Sequence, residues 1–148
     1  MKSKRVILIF SILIVFIFAM GAYSANDNPT YNEIVERLGK PYMDGLSLLG
    51  GDPFASFNID AVYELLKRLK TRFPNLNIWV WTGMTFETII NTTRDSILRY
   101  IDVLVDGPFV QELKSDKCLY RGSTNQRLID VKKTLEQNHK VVLWDAKR

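Results

Sequence analysis

Cysteine is nearly absent from this chain of 148 residues: Cys118 is the only one, and His139 is the only histidine. A single thiol excludes a disulfide framework. With one histidine, a histidine-based triad and a histidine metal site would compete for the same side chain. His139 lies in a polar stretch and reads as a surface residue, and Cys118, beside Tyr120, reads as an incidental thiol. A charge excess is also missing. The formal net charge is +4, but Lys2, Lys4 and Arg5 supply three of the 20 basic residues and no acid precedes Asp27. Residues 26–148 carry 17 basic and 16 acidic side chains, which gives no electrostatic reason to expect a nucleic-acid partner. Internal repeats and low-complexity tracts are absent too. What remains is 47% hydrophobic and 11% aromatic residues, a globular composition with room for one domain.

The first 25 residues differ in kind from the rest. Met1-Lys-Ser-Lys-Arg5 is a positive segment, Val6 to Met20 is apolar apart from Ser11, and Gly21-Ala-Tyr-Ser-Ala25 offers small residues for cleavage after Ala25. That is the pattern of a secretory signal peptide. The run extended to Tyr23 also approaches the length of a membrane anchor. Residues 1–25 are therefore expected as a signal-like or anchoring hydrophobic helix, and residues 26–148 as an α/β domain. A membrane enters the expectation only through this segment.

Beyond it, strand and helix patterns alternate. Thr30-x-x-Glu33 reads as a capping box for a short helix ending near Gly39. Leu46 to Leu49 reads as a strand closed by Gly50-Gly51. Asn58 is expected to cap a helix whose apolar residues Val62, Leu65, Leu66, Leu69 and Phe73 share one face. Ile78 to Trp81 and Val103 to Val105 read as strands around one or two helices between Thr85 and Tyr100. Leu128 to Leu135 suits a short helix or a strand–helix pair, and Val141 to Trp144 a closing strand. Such alternation predicts βαβ units and a mainly parallel sheet.

Ligands in such sheets sit beyond the carboxyl ends of the strands. Four loops fall there. Gly50-Gly51-Asp52-Pro53 offers backbone unobstructed by side chains and one carboxylate, which suits an ammonium or amino-acid group. Thr82-Gly83 adds a hydroxyl, Asp106-Gly107 a second carboxylate, and Arg121 to Arg127 a dense set of hydrogen-bonding groups. Each taken singly also reads as a plain turn or solvated loop. Trp79 and Trp81, alternating on one strand, read as packing rather than as a stacking platform.

Four blocks occur in order: Gly45-Leu-Ser-Leu-Leu-Gly-Gly-Asp-Pro53; Asn77-Ile-Trp-Val-Trp-Thr-Gly83; Tyr100-Ile-Asp-Val-Leu-Val-Asp-Gly107 with Phe109-Val-Gln-Glu-Leu113; and Arg121-Gly-Ser-Thr-Asn-Gln-Arg127. Across about three quarters of the chain they resemble the activating proteins of anaerobic (class III) ribonucleotide reductase, in the radical S-adenosylmethionine superfamily. The resemblance implies a partial (β/α) barrel-like core and an oxidoreductase that cleaves S-adenosylmethionine at a [4Fe–4S] cluster and makes a glycyl radical on the reductase. It also implies a cytoplasmic setting and a complex with that reductase. Gly50, Gly51 and Asp52 would hold the methionine amino group, with Thr82, Arg121 and Asn125 in cofactor or partner contact.

The same resemblance implies a Cys-x-x-x-Cys-x-x-Cys loop after the first strand, and this sequence has none. A truncated core is expected, without its first strand and with an uncovered sheet edge, unable to bind the cluster. The alternatives are a non-catalytic module that binds the reductase or an adenosyl ligand, and an exported or membrane-tethered α/β domain of unrelated function.

Overall fold

The computed structural model describes residues 12–16 and 29–145. Five strands form one sheet in sequential order: β1 (Ile12–Phe16), β2 (Gly45–Leu49), β3 (Asn77–Trp81), β4 (Val103–Asp106) and β5 (Arg127–Asp130). The first four run parallel, and β5 returns antiparallel to β4. Helices α1 (Pro29–Leu38) and α2 (Ile59–Arg72) make the first two crossovers. The short α3 (Phe86–Ile89) and a 3-10 helix (Thr93–Tyr100) make the third. β5 returns antiparallel, and the chain from 107 to 126 that leads into it is loop with one short 3-10 turn (Gln111–Leu113) in place of the crossover helix usual between parallel strands. Helix α4 (Val131–Glu136) follows β5, so the expected strand–helix pair is present.

Strands β2 to β5 are buried on both faces, but by different means. On one face Leu46, Leu48, Ile78, Val80, Leu104 and Ile129 pack with the helical residues Ile34, Val62, Leu66, Leu69 and Ile97 in the main core. The other face carries Trp79, Val103, Val105 and Leu128, covered by Trp81, Tyr120 and Trp144. Trp79 meets Tyr120 and Trp144 edge-on, with ring centroids 5.3 and 4.8 Å apart, a favoured aromatic geometry. The two tryptophans of β3 are packing residues, as expected. At the amino ends of the strands, Asp102 Oδ2 accepts from Ile78 N (2.8 Å) and from Lys70 Nζ (2.9 Å), tying α2 to β3 and β4.

Several expectations are corrected. Ile12–Phe16, in the middle of the run expected as a hydrophobic helix, is a strand with Ile12 opposite Gly45 and Phe16 opposite Leu49. The β2 edge expected to be uncovered is therefore paired. A strand edge offers a row of unmet N–H and C=O groups, and the run Ile-Leu-Ile-Val-Phe has the β-branched and aromatic character that fills such a position. The remainder of the signal-like segment lies outside the described residues. No helix among the described residues is long and apolar enough to cross a membrane. The sheet is mainly parallel, as expected, and open, with β1 and β5 as its edges. Helix α1 starts at Pro29, so Thr30 lies inside its first turn instead of capping it; proline is favoured at that first position because its missing N–H costs nothing there. Val141 to Trp144 makes a single bridge, Leu143 to Ile129, in place of a strand.

Gly45 sets how closely β2 and β3 approach, since a Cβ there would stand 2.6 Å from the Asn77 carbonyl oxygen. Gly45→Ala is expected to destabilise the domain by about 1–3 kcal/mol, the usual range for overpacking, read as a lowered urea midpoint at unchanged slope. An unchanged midpoint would show that the two strands can move apart freely.

Candidate functional site

Because β2, β3 and β4 are parallel, their carboxyl ends bring Gly50, Thr82 and Asp106 to one end of the sheet. After β2 the backbone turns left-handed for three residues, with φ of 78° at Gly50, 56° at Gly51 and 35° at Asp52. Glycine takes this conformation without cost, and aspartate is among the few others that tolerate it. Gly50 and Gly51 are exposed and Asp52 is half-buried.

The Asp52 carboxylate holds the turn in place. Its Oδ1 accepts from Phe54 N (3.0 Å) and from the Thr82 hydroxyl (2.8 Å), and its Oδ2 accepts from Gly83 N (3.1 Å). Thr82 Oγ1 in turn accepts from Met84 N at 3.1 Å. Two further side chains support the turn from behind. Asn58 Nδ2 donates to Gly51 O (2.6 Å) and Asp52 O (3.1 Å), so Asn58 reaches back into the loop; it makes no side-chain cap bond to α2, contrary to expectation. Arg94 Nε donates to Phe54 O at 2.9 Å.

Arg121 and Asn125 organise a second loop. Arg121 Nη1 donates to Gln126 O (2.8 Å) and Asn125 Nδ2 to Pro108 O (2.8 Å). The centre of that loop is Gln126, which sequence reasoning did not single out. Its Oε1 accepts from Gly122 N (2.9 Å) and Ser123 N (3.1 Å), while Nε2 donates to Gly107 O (3.1 Å). Gly107 N donates to Met84 O at 2.8 Å, so the two loops are joined through Met84 and Thr82. Arg121 Nε is buried without a hydrogen-bond partner.

Asp106, 1% exposed, accepts from Phe86 N (2.7 Å) at Oδ2 and from Arg127 Nε (3.0 Å) at Oδ1. Arg127 also grips Glu87 with two bonds of 3.0 and 2.7 Å. Hydrogen bonds to the two carboxylates push the Arg127 pKa up, and the hydrogen bond from Arg127 holds Glu87 below the usual carboxylate range. Glu87 was missed because it lies 40 residues from Arg127, with no local pattern to announce the pair.

A family model described as a 4Fe-4S single cluster domain matches residues 18–129. The chain is 42% identical over 99 residues to the anaerobic ribonucleoside-triphosphate reductase-activating protein of Enterobacteria phage T4, covering 67% of this chain and 61% of that one. The proteins of the same description from Vibrio cholerae and Escherichia coli K12 are 48% and 42% identical over 82 residues. These alignments cover 55% of this chain in both cases, and 52% and 53% of the relatives. The chain thus spans between half and two thirds of the length of these curated relatives. No solved structure matches it.

Four-iron clusters are held by cysteine thiolates. Cys118 is the one cysteine, half-buried in the loop after β4, and no group of three or more His, Cys, Asp or Glu side chains among the described residues could hold a metal ion. The residues present do not fit such a cluster.

Two outcomes test the clamp and the ion pairs. Thr82→Val removes the hydroxyl between Asp52 and Met84 and is expected to cost about 1–3 kcal/mol in urea unfolding, because Met84 N loses its acceptor and the Asp52 carboxylate one of its three donors. For Glu87 the folded-state pKa lies below the unfolded one. The stability it contributes is therefore present above the unfolded value, near pH 4, and disappears as pH falls through the folded value. Acid titration of Glu87→Gln should show a shallower loss of stability than the wild type below about pH 4. The difference is expected to be small, as the side chain is 58% exposed; identical curves would show that the pair does not persist in solution.

Proposed function

Because the chain belongs to the family of 4Fe-4S single cluster domains, and its curated homologues are reductase-activating proteins, we propose that it is the S-adenosylmethionine-binding and reductase-binding part of such an activating protein. The observation that carries the reading is the left-handed Gly50–Asp52 turn, held against Thr82 and Gly83 by the Asp52 carboxylate.

Such a turn suits the amino-acid end of S-adenosylmethionine. Gly50 and Gly51 have no side chains to keep an ammonium group from the main chain. A carboxylate has about four lone-pair positions, and three hydrogen bonds to Asp52 are given above, so Oδ2 retains capacity for one more donor. The fixed orientation of that oxygen means a ligand ammonium need not order it on binding. Arg121, with its unspent Nε, and Asn125 would contact the rest of the ligand or the partner. The natural partner is an anaerobic ribonucleoside-triphosphate reductase, which the homologues' names specify, and the reading carries a cytoplasmic location. These residues would form that complex without themselves supplying the thiolates for radical chemistry, since they include one cysteine.

Calorimetric titration with S-adenosylmethionine tests this. The wild type is expected to bind, and Gly51→Val to abolish binding, since a β-branched residue resists a φ of 56°. Asp52→Asn should weaken binding about tenfold or more, the equivalent of losing one charge-assisted hydrogen bond. Its amide would also set a donor against the Gly83 N–H. Absence of binding by the folded wild type would overturn the proposal.

A further inference from the structure

We infer that these 148 residues do not ligate a four-iron cluster on their own, and that a cluster working with this fold takes its thiolates from a polypeptide segment other than this one. The inference rests on the supply of donors, whatever the outcome of the S-adenosylmethionine titration.

Iron–sulfur clusters select thiolates, with histidine as the usual nitrogen substitute. The whole sequence contains one of each, Cys118 and His139. They sit on different elements: Cys118 in the loop between β4 and β5, where its N–H closes a turn onto Ser115 O at 3.1 Å, and His139 exposed in the turn after α4. Oxygen ligands do not make up the shortfall: no three His, Cys, Asp or Glu side chains among the described residues converge on a common point, and the carboxylates at the carboxyl end of the sheet already accept hydrogen bonds. Asp52 accepts from two backbone amides and a hydroxyl. Asp106 accepts from Phe86 N and Arg127, and Glu87 holds the other side of the same guanidinium. Turning any of them wholly toward a metal would break the contacts that shape the site. The site end of this fold is thus built as a hydrogen-bonded loop assembly rather than as a metal cradle.

The test is anaerobic reconstitution of the full chain with ferrous iron, sulfide and a thiol reductant. Iron and sulfide content, visible absorbance and the paramagnetic resonance of the reduced sample are the readouts. Near-ultraviolet circular dichroism from the Trp79, Trp81 and Trp144 cluster certifies that the chain measured is folded. After desalting, less than ~1 iron per chain and no cluster resonance are expected, in the wild type and in Cys118→Ser alike. About four irons and about four sulfides per chain with a cluster resonance would overturn the inference. So would ~2 irons per chain that vanish in Cys118→Ser, the signature of a cluster shared between two copies. Failure of S-adenosylmethionine to bind is read in the calorimeter alone, so the two proposals can fail separately.

Discussion

The Asp52 carboxylate is the constraint on which the functional end of this fold depends. A residue at φ of 35° is strained by roughly 1 kcal/mol or more relative to an ordinary conformation. It persists because three donors on two strand ends converge on it. Charge-assisted bonds of this kind are stronger than neutral ones, so the turn after β2 and the turn after β3 behave as one unit. Asn58 and Arg94 extend that unit backwards, the first from the start of α2 and the second from the 3-10 helix. The shape of the Gly50–Gly51 backbone is consequently a property of the packed domain rather than of the glycines alone.

Electrostatics divide the same end of the sheet into a buried and an exposed layer. Asp106 is almost fully buried, and a charge in that position is tolerable only when it is paired and hydrogen-bonded. Arg127 supplies the pairing, and Phe86 N the extra hydrogen bond. Glu87 faces solvent on the outer side of the guanidinium, where screening leaves the pair little energy of its own. The inner contact therefore fixes α3 against β4 and β5, and the outer one restrains the arginine. Together with Gln126 they make a hydrogen-bonded polar network at the strand ends, in which Arg121 Nε alone among the described buried side-chain groups lacks a partner; such networks specify one arrangement to the extent that they are satisfied.

Kinship and chemistry point in different directions. The family to which the chain belongs is defined by a four-iron cluster, and a single cysteine cannot build one. What the fold does assemble is a set of hydrogen-bonded loops at the carboxyl end of its sheet. The bonds that hold those strand ends together come from Asp52, Thr82, Gln126 and Arg127 rather than from a thiolate.

Much of the fold was legible from local pattern. The spacing of Val62, Leu65, Leu66 and Leu69, the glycine turn after Leu49 and the strand residues around Trp79 and Leu104 place α2, β2, β3 and β4 by periodicity and turn chemistry, which act over a few residues. The candidate residues at the strand ends follow from topology, because parallel strands bring their carboxyl ends together. Which of them touch is a different matter. Asp52 meets Thr82 across 30 residues and Glu87 meets Arg127 across 40, and Asn58 turns back to its loop instead of capping α2. The pairing of Ile12–Phe16 with β2 is of the same kind, since an apolar run carries no mark of whether a lipid, a core or a strand edge will receive it. Composition and spacing alone determined that this is an α/β domain with one thiol and a polar site at the strand ends. Only tertiary structure decided which donors that site satisfies internally, because those hydrogen bonds arise when strands distant in sequence are packed side by side.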